Sequence, residues 1–216
     1  MVADLHSSSE YENILRLVKG TNPDLIIIPG DLVHCSYSTK IGMKFLSGAA
    51  HIAPVFYSFG NHERFLNDGD FDIPGVTVLN SKTSEFCGVI FSGLRSGFLG
   101  QYETSFTVTP EPDIDFLDNF EKISTSKVLI CHHPEYYDPY ISKRNIDLTV
   151  SGHAHGGQWS IFGRGVFAPG QGLFPKYTHG FHYDRFIISR GASNTVPIPR
   201  FFNPTEIVLI DIIAKR

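Results

Sequence analysis

The fold class this sequence predicts is α/β, two β-sheets packed face to face with helices outside, and three patterns in it support that reading. Short, continuously apolar runs bounded by turn residues suit strands that are covered on both faces. Over roughly the first sixty residues the order is strand, helix, strand, helix, strand, which is that of right-handed βαβ crossovers feeding a parallel sheet. After Gly75 the alternation gives way to mostly short strands, which calls for a second sheet on the first.

Taken in order, Met1-Val2-Ala3 is all that precedes a polar Asp4-Leu5-His6 cluster. Such a cluster at the tip of a buried strand should follow about five residues of strand, so the first strand reads as truncated. Ser9–Lys19 carries Tyr11, Ile14, Leu15 and Val18 at helical spacing after a serine-rich N-cap region. Leu25–Ile28 is the next strand, Thr39–Ala50 a second helix, and Val55–Phe59, Val76–Leu79 and Val89–Ser92 further strands. One more helix is expected near Ile114–Ile123, followed by strands at Val128–Cys131, Leu148–Val150, Phe186–Ser189 and Ile207–Ile212. With no linker, repeat or low-complexity stretch, residues 1–216 read as one domain.

At 24.1 kDa the chain is long enough to bury a real core, and 42% hydrophobic residues with 13% aromatics exclude a disordered protein. A formal charge of −4 offers no general attraction to nucleic acid or anionic lipid, so an anionic substrate must be drawn by local charge. Cys35, Cys87 and Cys131 share no CxxC spacing and read as buried thiols of a reducing compartment, although Cys35 and Cys131 neighbour candidate site residues. No apolar run reaches about 18 residues and no signal-peptide pattern opens the chain. The expected location is cytoplasmic as given, with a longer membrane- or envelope-associated form compatible with the abrupt start.

The chemistry lies in five clusters: Asp4-Leu5-His6, Gly30-Asp31, Gly60-Asn61-His62-Glu63, His132-His133 and Gly152-His153-Ala154-His155. The last four each follow a predicted strand, where open α/β sheets place their ligands. Seven side chains of metal-binding type recur in them, enough for two divalent ions about 3.5–4 Å apart, the arrangement that activates a water for attack on phosphorus. In His153-Ala154-His155 one small residue separates two imidazoles, which can then diverge toward neighbouring ions. Gly30 and Gly60 let the backbone come close to them.

This pattern resembles the calcineurin-like metallophosphoesterases, from Asp4 to the C-terminus. The resemblance implies that Asp4, His6 and His155 bind a first metal, that Asn61, His132 and His153 bind a second, and that Asp31 bridges the two. It implies hydrolysis of a phosphate ester, a diester or pyrophosphate, by a hydroxide shared between the ions. His62 would not be a ligand: it would stabilise the transition state and protonate the leaving oxygen, a task suited to imidazole. Mixed carboxylate and imidazole ligands suit Mn, Fe, Zn or Ni better than Ca, with Mn favoured.

Gly152-His153-Ala154-His155-Gly156-Gly157-Gln158, then Gly172-Leu173-Phe174-Pro175-Lys176-Tyr177 and Ser189-Arg190-Gly191, look like a bacterial branch containing the phosphodiesterases YkuE and YaeI. The implied partner is a small phosphate ester or a lipid-linked one, with no nucleic acid expected. His34 stands where the purple, ferric relatives carry a tyrosine, so no violet colour is expected and His34 is read as a supporting or surface residue. His133 reads as a hydrogen-bonded loop residue and His51 as surface. Arg64, Arg95 and Arg190 are candidates to grip a second phosphate, and His179 and His182 belong to a loop that could cover the substrate. Gly93-Leu94-Arg95-Ser96 and Gly191-Ala192-Ser193 depart from the relatives' pattern and are expected to border the pocket. A metal-binding scaffold without turnover is the competing reading, and a nuclease ranks lower for want of a basic stripe.

Overall fold

A computed structural model describes residues 1–34, 39–95, 109–194 and 197–213 of the chain. In chain order the elements are α1 (Tyr11–Gly20), β1 (Ile26–Pro29), α2 (Thr39–Ala50), β2 (Val55–Ser58), β3 (Val76–Val78), β4 (Lys82–Phe86), β5 (Val89–Leu94), α3 (Ile114–Phe120), β6 (Lys127–Cys131) and β7 (Leu148–Ser151). Two small hairpins follow, β8 (Ser160–Ile161) with β9 (Arg164–Gly165) and β10 (Phe167–Ala168) with β11 (Gly172–Leu173), and then β12 (Gly180–His182) and β13 (Phe186–Ile188).

One sheet has the order β1-β2-β3 and is wholly parallel. The second has the order β12-β13-β7-β6-β5-β4, parallel from β13 to β5 with an antiparallel strand at each edge. Because side chains alternate along a strand, each strand feeds two cores. Ile27 and Phe56 point between the sheets to meet Phe91, Val128, Ile130 and Val150. Their neighbours Ile26, Ile28, Val55 and Tyr57 face outward onto Ile14, Val18, Phe45 and Leu46 of α1 and α2. On the far side Leu129 and Cys131 of β6 pack with Leu117 and Phe120 of α3. The result is the four-layer α/β/β/α sandwich that the sequence predicts.

The element bounds differ from expectation where the local pattern is weak. Helix α3 stops at Phe120, three residues early, although its start is sharp because the Asp113 carboxylate caps the Phe116 N–H at 3.0 Å. Strand β4, exposed along most of its length, and β12 carry too few apolar residues to be read as strands. The predicted strand Ile207–Ile212 joins neither sheet. Val208 exchanges two backbone bonds with Met1, at 2.7 and 3.0 Å, and no ladder continues from them. The Met1–Ala3 segment itself runs beside β1, with the Val2 N–H donating to the Ile27 carbonyl at 2.9 Å. No helix among the described residues is long and apolar enough to cross a membrane.

Four strands deliver the site. Gly30-Asp31 follows β1, Gly60-Asn61 lies just past β2, His132 follows β6 and Gly152-His153 follows β7. A hydrogen bond from His132 Nδ1 to the Pro29 carbonyl, 2.7 Å, ties the end of β6 to the end of β1 across the two sheets.

Candidate metal centre

Close backbone approach comes first. The Asp4, His6 and Ser7 N–H groups donate to the carbonyls of Gly30, Asp31 and Leu32 at 3.2, 2.9 and 3.0 Å, zipping the first cluster to the second. A Cβ on Gly30, whose φ is +91°, would lie 2.6 Å from the Gly60 nitrogen, so only glycine fits where these loops touch. Asp4, His6, Asp31, His153 and His155, five of the seven candidate ligands, have φ between +46° and +67°. Non-glycine residues rarely adopt this conformation, and it collects at functional sites where the surrounding structure holds it in place.

The seven side chains gather into two adjoining groups. Asp4, His6 and His155 form one, with His6 Nε2 3.2 Å from His155 Nε2 and His155 Nε2 3.9 Å from Asp4 Oδ1. Asp31, His132 and His153 form the other, joined by Asn61. His132 Nε2 lies 3.0 Å from Asn61 Oδ1, 3.1 Å from His153 Nδ1 and 3.2 Å from Asp31 Oδ2. The same Asp31 oxygen is 3.6 Å from His6 Nε2, so it stands between the groups.

These atoms fit a cation. His132 Nδ1 faces a carbonyl and must carry a proton, so a neutral His132 would aim its Nε2 lone pair at two oxygens, Asn61 Oδ1 and Asp31 Oδ2. A proton on Nε2 or a metal ion relieves that repulsion. Burial disfavours that proton, but Asp31 outweighs it and raises His132 to about 10. Burial also favours the un-ionised form of Asp31, yet His132 and His62 hold its carboxyl well below the usual range. Burial lowers His6, His153 and His155 below the ordinary imidazole value, which favours the neutral form that can bind a metal. His6 Nδ1 is buried with no partner among the described residues. Stripping by a chelator is therefore expected to lower Tm and added Mn²⁺ to restore it. A cation at 100 times its Kd contributes about 2.7 kcal/mol, roughly 5–10 °C at this size; no shift with Mn²⁺ or Zn²⁺ would count against a metal centre.

His62 sits beside the groups without joining either. Its N–H donates to Asp31 Oδ1 at 3.0 Å, its Nδ1 contacts the His34 carbonyl, and its Nε2 is 3.9 Å from Asp31 Oδ2. His34 is exposed at the rim and orients His62 through its backbone. His133 is buried, with Nδ1 3.3 Å from Glu135 Oε1, and His51 is an exposed surface residue.

The five candidates for substrate contact are scattered. Arg64 stacks its guanidinium 4.6 Å above the Phe65 ring, and Arg95 is exposed. Arg190 is engaged by Asn203 at 3.2 Å and Glu206 at 3.6 Å, which makes it a tie within the C-terminal segment. His179 and His182 line a surface cavity of about 460 Å³ together with Arg164, Phe174 and Lys176, and no candidate ligand lines it. Ser193, in the Gly191-Ala192-Ser193 departure, donates to the carbonyls of Asp4 and Leu5 at 3.0 and 2.9 Å and so holds the first cluster. Cys131 is buried with its thiol pushed up by that burial, while Cys87 is exposed rather than buried. Cys35 and Ser96 lie outside the described residues.

Sequence reasoning missed the residues that brace the ligands. The Glu63 carboxylate accepts the N–H groups of Gly60, Asp31 and Val33 at 2.7, 3.0 and 3.1 Å, locking two ligand loops together. Asn203 donates to the His155 carbonyl at 2.7 Å, and Arg200 Nη2 lies 3.2 Å from His155 Nδ1 while bonding the Ser193 carbonyl at 2.6 Å. Only the place of Glu63 next to the Gly60-Asn61-His62 run offered a signal. Asn203 and Arg200 sit in a segment with no motif.

The model of the calcineurin-like phosphoesterase family matches residues 1–157. An uncharacterized metallophosphoesterase of Helicobacter pylori strain J99 is 27% identical over 233 residues, covering all of this chain and 60% of the relative. One from Campylobacter jejuni is 28% identical over 232 residues, covering all of this chain and 59% of the relative. The Bacillus subtilis protein YpbG is 24% identical over 163 residues, 73% of this chain and 60% of that protein. The chain thus spans about 60% of the length of the curated relatives it matches. Among solved structures, Haemophilus influenzae NAD nucleotidase aligns with a TM-score of 0.44 at 15% identity, over 69% of this chain and 36% of that one.

Proposed function

This chain belongs to the calcineurin-like phosphoesterase family, and from that premise we propose that it hydrolyses phosphate esters, diesters or pyrophosphates, at a centre of two divalent cations. Asp4, His6 and His155 would hold one cation, Asn61, His132 and His153 the other, and Asp31 both. When bound, the pair would supply Lewis acidity at phosphorus and an activated water. Mn is the first metal to test. The observation that carries the reading is the single Asp31 oxygen lying 3.2 Å from His132 Nε2 and 3.6 Å from His6 Nε2.

His62 would handle the proton. With Nδ1 committed to the His34 carbonyl, its other nitrogen, Nε2, is left facing the centre, where it can deliver a proton to the leaving oxygen. His62→Ala is expected to retain both metals and lose turnover by a factor on the order of 10² to 10⁴. Hydrolysis of bis-p-nitrophenyl phosphate with added Mn²⁺ tests both statements: a metal-loaded wild type that turns over none of a monoester, a diester and a nucleotide-linked pyrophosphate would favour a binding scaffold. That competing reading is weakened by the convergence of every ligand type and His62. Lipid-linked esters belong among the substrates to try, because Phe162, Phe174 and Phe202 are largely exposed and offer apolar surface.

A further inference from the structure

His153 has two faces. Its Nδ1 is 3.1 Å from His132 Nε2, inside the Asp31 group, and its Nε2 points the opposite way, 3.8 Å from Glu135 Oε1. Glu135 occupies the single helical turn Pro134–Tyr136 directly after β6. It is enclosed: its Oε1 accepts from the Thr109 hydroxyl and lies 3.3 Å from His133 Nδ1, while its Oε2 is buried with no partner among the described residues. Gly170 closes the compartment, since a Cβ there would come within 2.1 Å of Glu135 Oε1 and 2.5 Å of the Thr109 hydroxyl. A mostly buried carboxylate held by a hydroxyl and an imidazole, with one oxygen in reserve, is suited to receive a proton donor.

We propose that Glu135 is a positioning residue for the metal centre: it draws the Nε2–H of His153 toward its carboxylate, which fixes the tautomer that leaves Nδ1 as the ligand atom. Thr109 and His133 aim the carboxylate, and its negative charge makes the imidazole a stronger donor. The inference rests on the two-cation reading but not on phosphoester turnover. His133, Glu135 and His153 also lie close enough to hold an ion of their own. That arrangement would force His153 to ligate through both nitrogens as an imidazolate, and the relay avoids it.

The test is Glu135→Gln, followed by calorimetric titration of the chelator-treated full chain with Mn²⁺ and by long-range ¹H–¹⁵N NMR of the imidazoles in the metal-free protein. Expected are an unchanged far-UV spectrum, two cations bound, one of them roughly 10- to 100-fold more weakly than in wild type, and a His153 that loses its single Nε2–H tautomer. Thr109→Val keeps the carboxylate and removes only its hydroxyl partner, so it should weaken the same site less and serves if the glutamine variant does not fold. Unchanged affinity at both sites with an unchanged tautomer would overturn the proposal, as would three cations in wild type and two in the variant. Wild type that binds no metal would instead defeat the two-cation reading, and the NMR arm on metal-free protein would still decide whether Glu135 sets the tautomer.

Discussion

Asp31→Asn is expected to abolish the metal centre and activity together, lowering diester hydrolysis by at least about 10³-fold, at the upper end of what one electrostatic group contributes. The substitution preserves shape and removes charge. In the native chain one Asp31 oxygen serves His132 at 3.2 Å, His6 at 3.6 Å and His62 at 3.9 Å, and the other receives the His62 N–H at 3.0 Å. The other candidate carboxylate ligand, Asp4, is committed to the His153 N–H and lies in the His6–His155 group. Without Asp31 no anion stands between the groups, and two like-charged cations would face each other with nothing to offset them. Metal content after gel filtration and the rate at saturating Mn²⁺ are the two measurements. A variant that holds two ions and hydrolyses at the wild-type rate would remove Asp31 from the bridging position.

Glu63→Ala is expected to cost about 3–5 kcal/mol of folding stability, because it leaves buried donors unsatisfied, and to lower Tm by on the order of 10 °C. Glu63 is fully buried, and its carboxylate is the acceptor for the N–H groups of Gly60, Asp31 and Val33. Burial and the neighbouring Asp31 raise its pKa, so the site already holds this carboxylate at some cost. The three N–H groups recover it. Glu63→Gln should fall between wild type and alanine, since the amide keeps one accepting oxygen but turns an NH₂ toward the remaining donors. Urea unfolding of the chelator-treated proteins isolates this effect from metal binding. A change under about 1 kcal/mol would show that water replaces the carboxylate.

Much of the candidate site was legible because its residues are punctuation. Gly-Asp, Gly-Asn-His and Gly-His-Ala-His each interrupt an apolar run, and the structure does place each at the carboxyl end of the strand before it, β1, β2 and β7. The sandwich was legible for a related reason: β1, β2 and β6 are buried along their whole length, as continuous apolar runs imply. The strands that were missed are edges or two-residue hairpins, whose exposed residues carry no period-2 signal. The strand expected at Ile207–Ile212 shows the converse, since an apolar run proposes a strand but only a partner with free backbone groups completes one.

The sequence by itself determined which chemical groups are present, their order along the chain and the strand ends that carry them, because apolar periodicity and turn residues are local properties of a few consecutive positions. Only the tertiary structure decided which atoms meet. That Asp31 stands between His6 and His132, that Glu63 holds the loop of Asp31, and that Asn203 grips the turn of His155 are contacts across 25 and 101, 32 and 48 positions of chain. Such pairings leave no period in the sequence. They arise when two hydrophobic sheets stack and bring their strand ends to one edge.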